Sequence, residues 1–271
     1  TLRQYFNWVS RSGYDLSKVA RPQILEYKED LFKEGLSSLT VGSYITAVRR
    51  LYDWLEANKI YPNVAKGIKT PYRKKQFRKQ ALTPEQATEL LEYYKGKALR
   101  DFAIVNLLLR TGLRTIEVSR ANIEDITYKG NQRVLLIWGK GRDEKDDFVI
   151  LTDSCYEPIK RYLKSRGRVK STEPLFVSNS NNNKGKRLST RTISFIAKEG
   201  LKAIGLDSRV FTAHSLRHTT AVSILRAGGS LETAQSTLRH TNPATTQIYT
   251  ATIKEEMRLQ KSGEALIDKI Y

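Results

Sequence analysis

The segment from His214 to Tyr249 decides how this chain is interpreted, and it reads HSLRHTTAVSILRAGGSLETAQSTLRHTNPATTQIY. It contains all three histidines of the protein: His214 and His218 at its start, and His240 near its end. Arg217 follows the first histidine closely, and Tyr249 comes shortly after the last one. The residues between form a helical run, so the segment predicts a helix that joins two groups of chemically versatile side chains.

Length and composition indicate a folded protein from a reducing compartment. The chain has 271 residues, enough for two domains of ordinary size, and 39% of them are apolar, which supports buried cores. No segment approaches the ~18 apolar residues that a membrane helix needs. The single cysteine, Cys155, cannot form an internal disulfide. We therefore expect a cytoplasmic protein with no membrane partner.

Charge is the strongest compositional feature. Lysine and arginine number 47 against 28 acidic residues, a formal net charge of +19. Such an excess is typical of a protein that binds a polyanion, most often nucleic acid. The alternative is a basic surface that serves solubility alone.

Residues 1–65 are predicted to form a small helical domain. Apolar residues recur there at helical spacing, in three groups: Leu2, Phe6 and Val9; Ile24, Tyr27, Leu31 and Phe32; Tyr44, Val48, Leu51 and Leu55. Arg49 and Arg50 lie beside the third stripe. They are candidates for contact with DNA phosphates, and the alternative is that both are simply solvated.

Residues 66–81 have the composition of a basic linker. The stretch 66–80 carries seven positive charges, no acidic residue and Pro71. We expect a strap along a DNA backbone, and a flexible solvated tail is the alternative. The candidate phosphate contacts are Lys69, Arg73, Lys74 and Lys75.

Residues 82–271 are predicted to form a mainly helical second domain with one small antiparallel sheet. Thr83, Pro84 and Gln86 form a helix-start signal. Helices are expected over 98–110, 153–166 and 189–203. Apolar runs at 132–138 and 148–151, separated by a turn that begins at Gly139, predict two paired strands.

The reactive residues suit the breakage of a phosphodiester bond without a metal. This reaction needs a nucleophile, cations on the phosphate oxygens, a base and an acid. Acidic residues are scattered rather than clustered near the histidines, whereas Arg114, Arg217 and Lys140 can supply positive charge. Tyr249 is the candidate nucleophile, and because a phenol has a pKa near ~10 it needs cations and a base such as histidine beside it.

Five motifs in order resemble the tyrosine site-specific recombinases, the phage-integrase and Xer group. They are Thr111-Gly-Leu-Arg-Thr-Ile-Glu117, Gly139-Lys-Gly141, His214-Ser-Leu-Arg-His-Thr219, Leu238-Arg-His240 and Thr245-Thr-Gln-Ile-Tyr-Thr250. The resemblance implies a helical core-binding domain of the SAM-like type over 1–65 and an α+β catalytic domain over 82–271. It also implies a DNA-bound, nucleoid-associated protein of a bacterium or archaeon.

The resemblance also implies a role for each matching residue. Arg114 and Arg217 would clamp the scissile phosphate, and Lys140 would protonate the leaving 5′-oxygen. His214 would assist proton transfer, and His240 would hydrogen-bond the phosphate. Tyr249 would form a 3′-phosphotyrosyl bond, with no cofactor and no metal.

Four residues leave alternatives open. The family often has glycine where Arg239 stands, and this arginine is expected to be tolerated and to add a phosphate contact. Lys145 is the alternative to Lys140, because the segment after Gly141 is unexpectedly acidic. Glu117 is expected to orient a neighbour, with a surface salt bridge as the alternative, and His218 is expected to be structural. A three-histidine zinc site is the less favoured reading of the histidines.

The family implies a homotetramer on two synapsed inverted-repeat DNA sites. The amphipathic segment Ile253–Tyr271 would be a helix that docks on a neighbouring protomer. We expect the recombinase of a mobile element, with integration and excision as its task. The alternatives are resolution of chromosome dimers or transposon cointegrates, a type IB topoisomerase, a non-catalytic DNA-binding factor, and a metal nuclease.

Overall fold

The computed structural model describes residues 1–71, 80–138, 144–239, 267, 268 and 270. The chain divides into two compact units, Thr1–Gln76 and Phe77–Tyr271. The predicted class, mainly helical with a small antiparallel sheet in the second unit, is confirmed. Within the described residues, no helix is both long enough and apolar enough to cross a membrane.

The first unit is a three-helix bundle built around aromatic residues. Its helices are α1 (Leu2–Arg11), α2 (Arg21–Lys33) and α3 (Ser38–Ala57). Ser37 caps α3 by accepting a hydrogen bond from the Thr40 amide, a common way to satisfy the first free amides of a helix. The buried core includes Tyr5, Trp8, Tyr27 and Tyr52, and extends to Ile68 beyond the last helix.

The helical stripes predicted for this unit were wrong in part. In α1 the buried residues are Tyr5, Trp8 and Val9, whereas Phe6 is exposed. Phe32 is also exposed, although α2 buries the rest of its predicted stripe. In α3, Val48 is buried, whereas the other three predicted residues are only half-buried. Neighbouring apolar residues cover more than one face of a helix, so the sequence pattern alone does not decide which of them the other helices cover.

The second unit is built around α5. Its helices are α4 (Pro84–Lys95), α5 (Leu99–Thr111), α6 (Thr115–Arg120), α7 (Asp153–Ser165), α8 (Thr190–Ala203), α9 (Ala213–Arg226) and α10 (Leu231–Leu238). α5 buries residues around its whole circumference and packs against α4, α7, α8 and α9. Thr83 and Gln86 form the predicted capping box at the start of α4.

The sheet of the second unit has three antiparallel strands in chain order. They are β1 (Ile126–Lys129), β2 (Gln132–Ile137) and β3 (Asp147–Ile150). Leu135 pairs with Ile126 on one side and with Val149 on the other. β2 and β3 match the two predicted strands, and β1 was not predicted. The connection from β2 to β3 contains residues 139–143, which lie outside the described part of the chain.

Candidate active site

Arg217 is a buried arginine in the first turns of α9. Only 2% of the residue is exposed, and its two terminal nitrogens donate hydrogen bonds to the carbonyls of Gly112 and Leu238. Gly112 ends α5 and Leu238 ends α10, so one guanidinium joins the ends of two helices to a third. Such fixed bonds hold the plane of the guanidinium in one orientation.

Arg114 stands at the start of α6 and is held by Glu117 from two directions. One carboxylate oxygen of Glu117 accepts from the Arg114 backbone amide at 2.7 Å, and the other accepts from its guanidinium at 2.8 Å. The Glu117 side chain is only 6% exposed, whereas 34% of the Arg114 side chain is exposed. Glu117 therefore orients its neighbour, as predicted, and the alternative of a surface salt bridge was wrong.

A cleft of about 710 Å³ brings Arg114, His214 and Arg217 together. Three different elements supply its walls: the start of α6, the outer face of α8 and the first turn of α9. Four basic side chains line it, and no acidic residue is among the lining residues that the structure describes. A concave site of this charge favours an anion with several oxygens, such as a phosphodiester.

Sequence reasoning missed the contribution of α8 to this cleft. Arg191, Ser194, Phe195 and Lys198 all line it. Lys198 pairs with Asp207 at 3.2 Å, while Arg191 and Phe195 are exposed. Their spacing of three and four residues marks a single helix face, and this was the signal that could have found them.

His218 lies one helical turn after His214 and is buried, with 2% of the residue exposed. Burial first, and the charge of the neighbouring His214 second, lower the pKa of its imidazole to about 4. His218 is therefore neutral near pH 7, which fits a structural residue. In the described ranges no three His, Cys, Asp or Glu side chains come together as a metal site; His240, the third member of the zinc alternative, lies outside them.

The Lys145 ammonium already interacts with other side chains of the second unit. It forms an ion pair with Asp125, whose side chain is almost fully buried, and lies 5.7 Å from the centre of the Trp138 ring. The residue sits just before β3. These contacts suit an anchor of the β2–β3 connection.

The expectation that Arg239 adds a phosphate contact was wrong. Its side chain is only 8% exposed and points to Glu117, which accepts a hydrogen bond from it at 2.8 Å. Asp147 lies 3.5 Å from its Nε. Burial lowers the pKa of this guanidinium, and the two carboxylates oppose that effect.

Several predicted residues lie outside the described part of the chain. Among the catalytic candidates these are Lys140, His240 and Tyr249; among the phosphate contacts they are Arg73, Lys74 and Lys75. Most of the predicted docking segment, Ile253–Tyr271, lies outside it as well. Arg49, Arg50 and Lys69 are described, and all three are exposed on the first unit.

Comparison with known sequences finds the phage integrase family and its recombinases. The family's model matches residues 80–256. Tyrosine recombinase XerC of Caldanaerobacter subterraneus subsp. tengcongensis is 33% identical over 221 residues, which are 79% of this chain and 59% of that protein. XerC of Shewanella oneidensis is 31% identical over 93% of this chain and 82% of its own length. XerA of Pyrococcus horikoshii is 31% identical over 100% of this chain and 89% of its own length.

Solved structures agree with these sequence matches. The XerA recombinase crystal structure is 28% identical, with a TM-score of 0.55 over 95% of this chain and 88% of that one. The XerH site-specific recombinase, in a post-cleavage complex with a palindromic difH substrate, has a TM-score of 0.76 over 97% of this chain and 77% of that one; at 22% identity it shows a common fold. The family that the motifs predicted is confirmed: this chain belongs to the phage integrase family, the tyrosine site-specific recombinases that break and rejoin DNA strands.

Proposed function

We propose that this chain cleaves and rejoins duplex DNA at specific sites through a covalent 3′-phosphotyrosyl intermediate. The observation that carries the proposal is the basic cleft, in which Arg114, His214 and Arg217 converge although they are far apart in sequence. This arrangement supplies charge stabilisation for a phosphoryl transfer state without a metal.

The two arginines bind the scissile phosphate in this proposal. Arg217 is held from behind by two carbonyls, and Arg114 is held by Glu117, so neither has to reorganise when charge builds on the non-bridging oxygens. A guanidinium matches two phosphate oxygens at once and stays charged at any working pH.

Tyr249 is the nucleophile and Lys140 the general acid. The phenolic oxygen of Tyr249 attacks phosphorus and gives up its proton to His214, and the bond from phosphorus to the 5′-oxygen breaks. Lys140 donates a proton to that leaving oxygen, which yields a free 5′-hydroxyl. The reverse reaction rejoins the strand without ATP, because the phosphotyrosyl bond keeps the energy of the bond it replaced.

The choice of Lys140 over Lys145 rests on what Lys145 already does. If the Lys145 ammonium left Asp125, the nearly buried carboxylate would remain without its cation, which is costly. Lys140 belongs to the same β2–β3 connection and stands between two glycines. Lys140→Ala should therefore slow cleavage far more than Lys145→Ala, which should lower stability instead.

DNA is held by both units in this proposal. Residues 1–65 act as a core-binding domain, 66–81 as a basic linker, and 82–271 as the catalytic domain. The exposed Arg49, Arg50 and Lys69, together with Arg73, Lys74 and Lys75 of the linker, contact phosphates. We expect a homotetramer in the cytoplasm on two inverted-repeat sites, linked by the amphipathic segment Ile253–Tyr271.

The names of the relatives favour an Xer-like role over the mobile-element role expected from sequence. Relatives at 31–33% identity are named Xer recombinases, whereas the Tn1549 transposon integrase is matched at 17% identity, which supports a common fold only. Selection of bound sequences from random DNA, followed by a search of the host genome, separates the roles. A single chromosomal site supports the Xer-like role, and a pair of sites flanking a mobile element supports the other.

Covalent trapping tests the proposed chemistry. A duplex with the selected site and a nick near the cleavage position loses its short 5′-hydroxyl fragment, so the intermediate accumulates. We expect a protein–DNA adduct that forms equally well in EDTA, and none with Tyr249→Phe. Tyr128→Phe, which changes an exposed tyrosine of β1, is the matched control and should form the adduct at the normal rate. Cleavage that gives no adduct and stops in EDTA would support the metal nuclease, and relaxation of supercoiled DNA that lacks the site would support the topoisomerase.

A further inference from the structure

Arg239 combines a strained backbone with a buried charge. It directly follows the last residue of α10, with φ +55 and ψ +48. In this left-handed region the Cβ of an L residue comes too close to a carbonyl oxygen, and glycine has no Cβ. Its guanidinium is buried although arginine is rarely buried without partners. Both features carry a free-energy cost, so the contacts that Arg239 makes must offset it.

Those contacts join three elements. The Arg239 guanidinium donates to Glu117 of α6 at 2.8 Å, and also to the carbonyl of Thr237 in α10 at 2.9 Å. Asp147 of β3 is the third partner, 3.5 Å away. The end of α10 is thereby fixed to the start of α6 and to the first residue of β3.

Glu117 is shared between Arg239 and Arg114. The same oxygen, Oε2, accepts from the Arg239 guanidinium and from the Arg114 amide, while Oε1 accepts from the Arg114 guanidinium. One negative charge thus faces two positive ones. If Arg239 were absent, the whole charge of Glu117 would fall on Arg114 and weaken its attraction for a phosphate.

The residue before Arg239 is held by the second arginine of the cleft. The Leu238 carbonyl accepts a hydrogen bond from Arg217. The next residue, Arg239, is linked to Arg114 through Glu117. Two consecutive residues are therefore connected to both arginines of the cleft. His240 follows immediately in the sequence.

We propose that Arg239 is a positioning residue for DNA cleavage: it shares the charge of Glu117, leaves Arg114 with surplus positive charge for the scissile phosphate, and fixes the chain that leads into His240. This inference deepens the proposed function and rests on it. Arg239 acts through Glu117 and Arg114, because its own side chain bonds to Glu117 and does not line the cleft.

Arg239→Gly is the sharpest variant, because glycine adopts the same backbone without strain and removes only the side chain. We expect single-turnover adduct formation on the nicked duplex to fall on the order of 10²-fold, the scale for misplacing a group in an active site. Binding of the intact duplex should stay within about twofold. Arg239→Lys keeps the positive charge but lacks the planar guanidinium with its several donors. Its rate of adduct formation should lie between those of Arg239→Gly and the unchanged chain.

A second substitution separates positioning from mere stability. In the unchanged chain, Glu117→Gln should slow adduct formation, because Arg114 loses its anchor. In the Arg239→Gly background the same change should raise the rate, because it removes the carboxylate that over-neutralises Arg114. A further fall in the double variant would overturn the inference.

Arg166→Ala is the control for loss of a buried arginine. Arg166 pairs with Glu173 at 2.8 Å in the same unit and does not line the cleft. It should lower the melting temperature while the folded protein forms adduct at the normal rate. If Arg239→Gly formed adduct at an unchanged rate, the role of Arg239 would be overturned and the proposed function would stand. If the unchanged chain formed no adduct, the proposed function itself would be overturned.

Discussion

Arg217 shows how a charged residue comes to be both buried and functional. Its guanidinium donates hydrogen bonds to two helix-end carbonyls, which carry the negative ends of the helix dipoles. Carbonyls leave most of the positive charge unneutralised, so the guanidinium can still attract a phosphate. A carboxylate in the same place would have cancelled it.

We predict that Arg217→Ala reduces the adduct-forming rate on the order of 10²–10³-fold, the usual effect of removing a group that stabilises developing negative charge. The affinity for the intact duplex should be largely kept, since many other phosphate contacts remain. Single-turnover kinetics and a binding titration measure the two quantities. Arg191→Ala, at an exposed position of the same cleft, is the matched control, and we expect a smaller rate loss; equal losses would show that the cleft acts only through its total charge.

His218 predicts a pH dependence of stability. Its folded-state pKa of about 4 lies below its ordinary value of 6.5, so between these pH values the unfolded chain binds the proton more readily. The free energy of unfolding should therefore fall as the pH drops from about 6.5 to 4, by a contribution on the order of 3 kcal/mol. Urea unfolding across this range measures it.

His218→Gln is the control for this titration. Glutamine is neutral at every pH, so the variant should lose much of the dependence between pH 6.5 and 4 even if its stability at pH 8 is lower. An identical slope in both proteins would assign the effect to other groups.

At the level of single residues, the sequence singled out two arginines that the structure brings to one cleft, but it did not show how they are held. Arg114 and Arg217 were found because the motif around each is distinctive, and His218 was expected to be structural. Two partners of Arg217 are backbone carbonyls, which any residue could supply, so no pattern in the sequence marks them. Arg239 was misjudged for the same kind of reason: its side chain direction depends on Glu117 and Asp147, which are remote in sequence.

Among the helices and strands, the junction of α5, α9 and α10 is closely packed. Gly112 ends α5 with φ +61, and a Cβ there would collide with the Leu238 side chain and lie 3.4 Å from Thr220. The close approach lets the carbonyls of Gly112 and Leu238 reach the same guanidinium. Glycine is thus required by the backbone conformation and by packing together.

Gly112→Ala should destabilise the protein by two effects, about 1–2 kcal/mol from the left-handed backbone and about 1–3 kcal/mol from overpacking. It should also slow adduct formation, because Arg217 would be displaced. Gly205→Ala is the matched control: it has φ +78 but open space around the added Cβ, so only the first effect applies. Urea midpoints and adduct rates measure both; equal effects at the two glycines would contradict the packing argument.

Element boundaries were predicted well where the sequence carries explicit signals. The capping box placed the start of α4, and the turn after β2 placed the hairpin. β1 was missed because it is only four residues long and ends in polar residues, so its strand character comes from pairing with β2. The buried face of α1 was misassigned because Tyr5, Phe6, Trp8 and Val9 offer two apolar faces, and only the packing of α2 and α3 selects one.

For the whole molecule, the excess of positive charge predicts salt-dependent DNA binding. Each phosphate contact that releases a counterion adds about −0.9 to the slope of log affinity against log salt. We expect the double variant Arg49→Gln/Arg50→Gln to make that slope shallower by about 2 if both residues contact phosphates. Arg3→Gln/Arg11→Gln removes the same charge from another part of the first unit and serves as the control. Equal changes in slope would indicate that only total charge matters.

The account as a whole depends on Tyr249 becoming joined to DNA. The direct measurement is mass spectrometry of the trapped adduct after protease and nuclease digestion, with a nicked duplex that carries the selected site. We predict a single modified peptide whose nucleotide is linked through its 3′-phosphate to Tyr249, together with a released strand bearing a 5′-hydroxyl. A nucleotide on any other residue, or cleavage that leaves a 5′-phosphate and no adduct, would contradict the account.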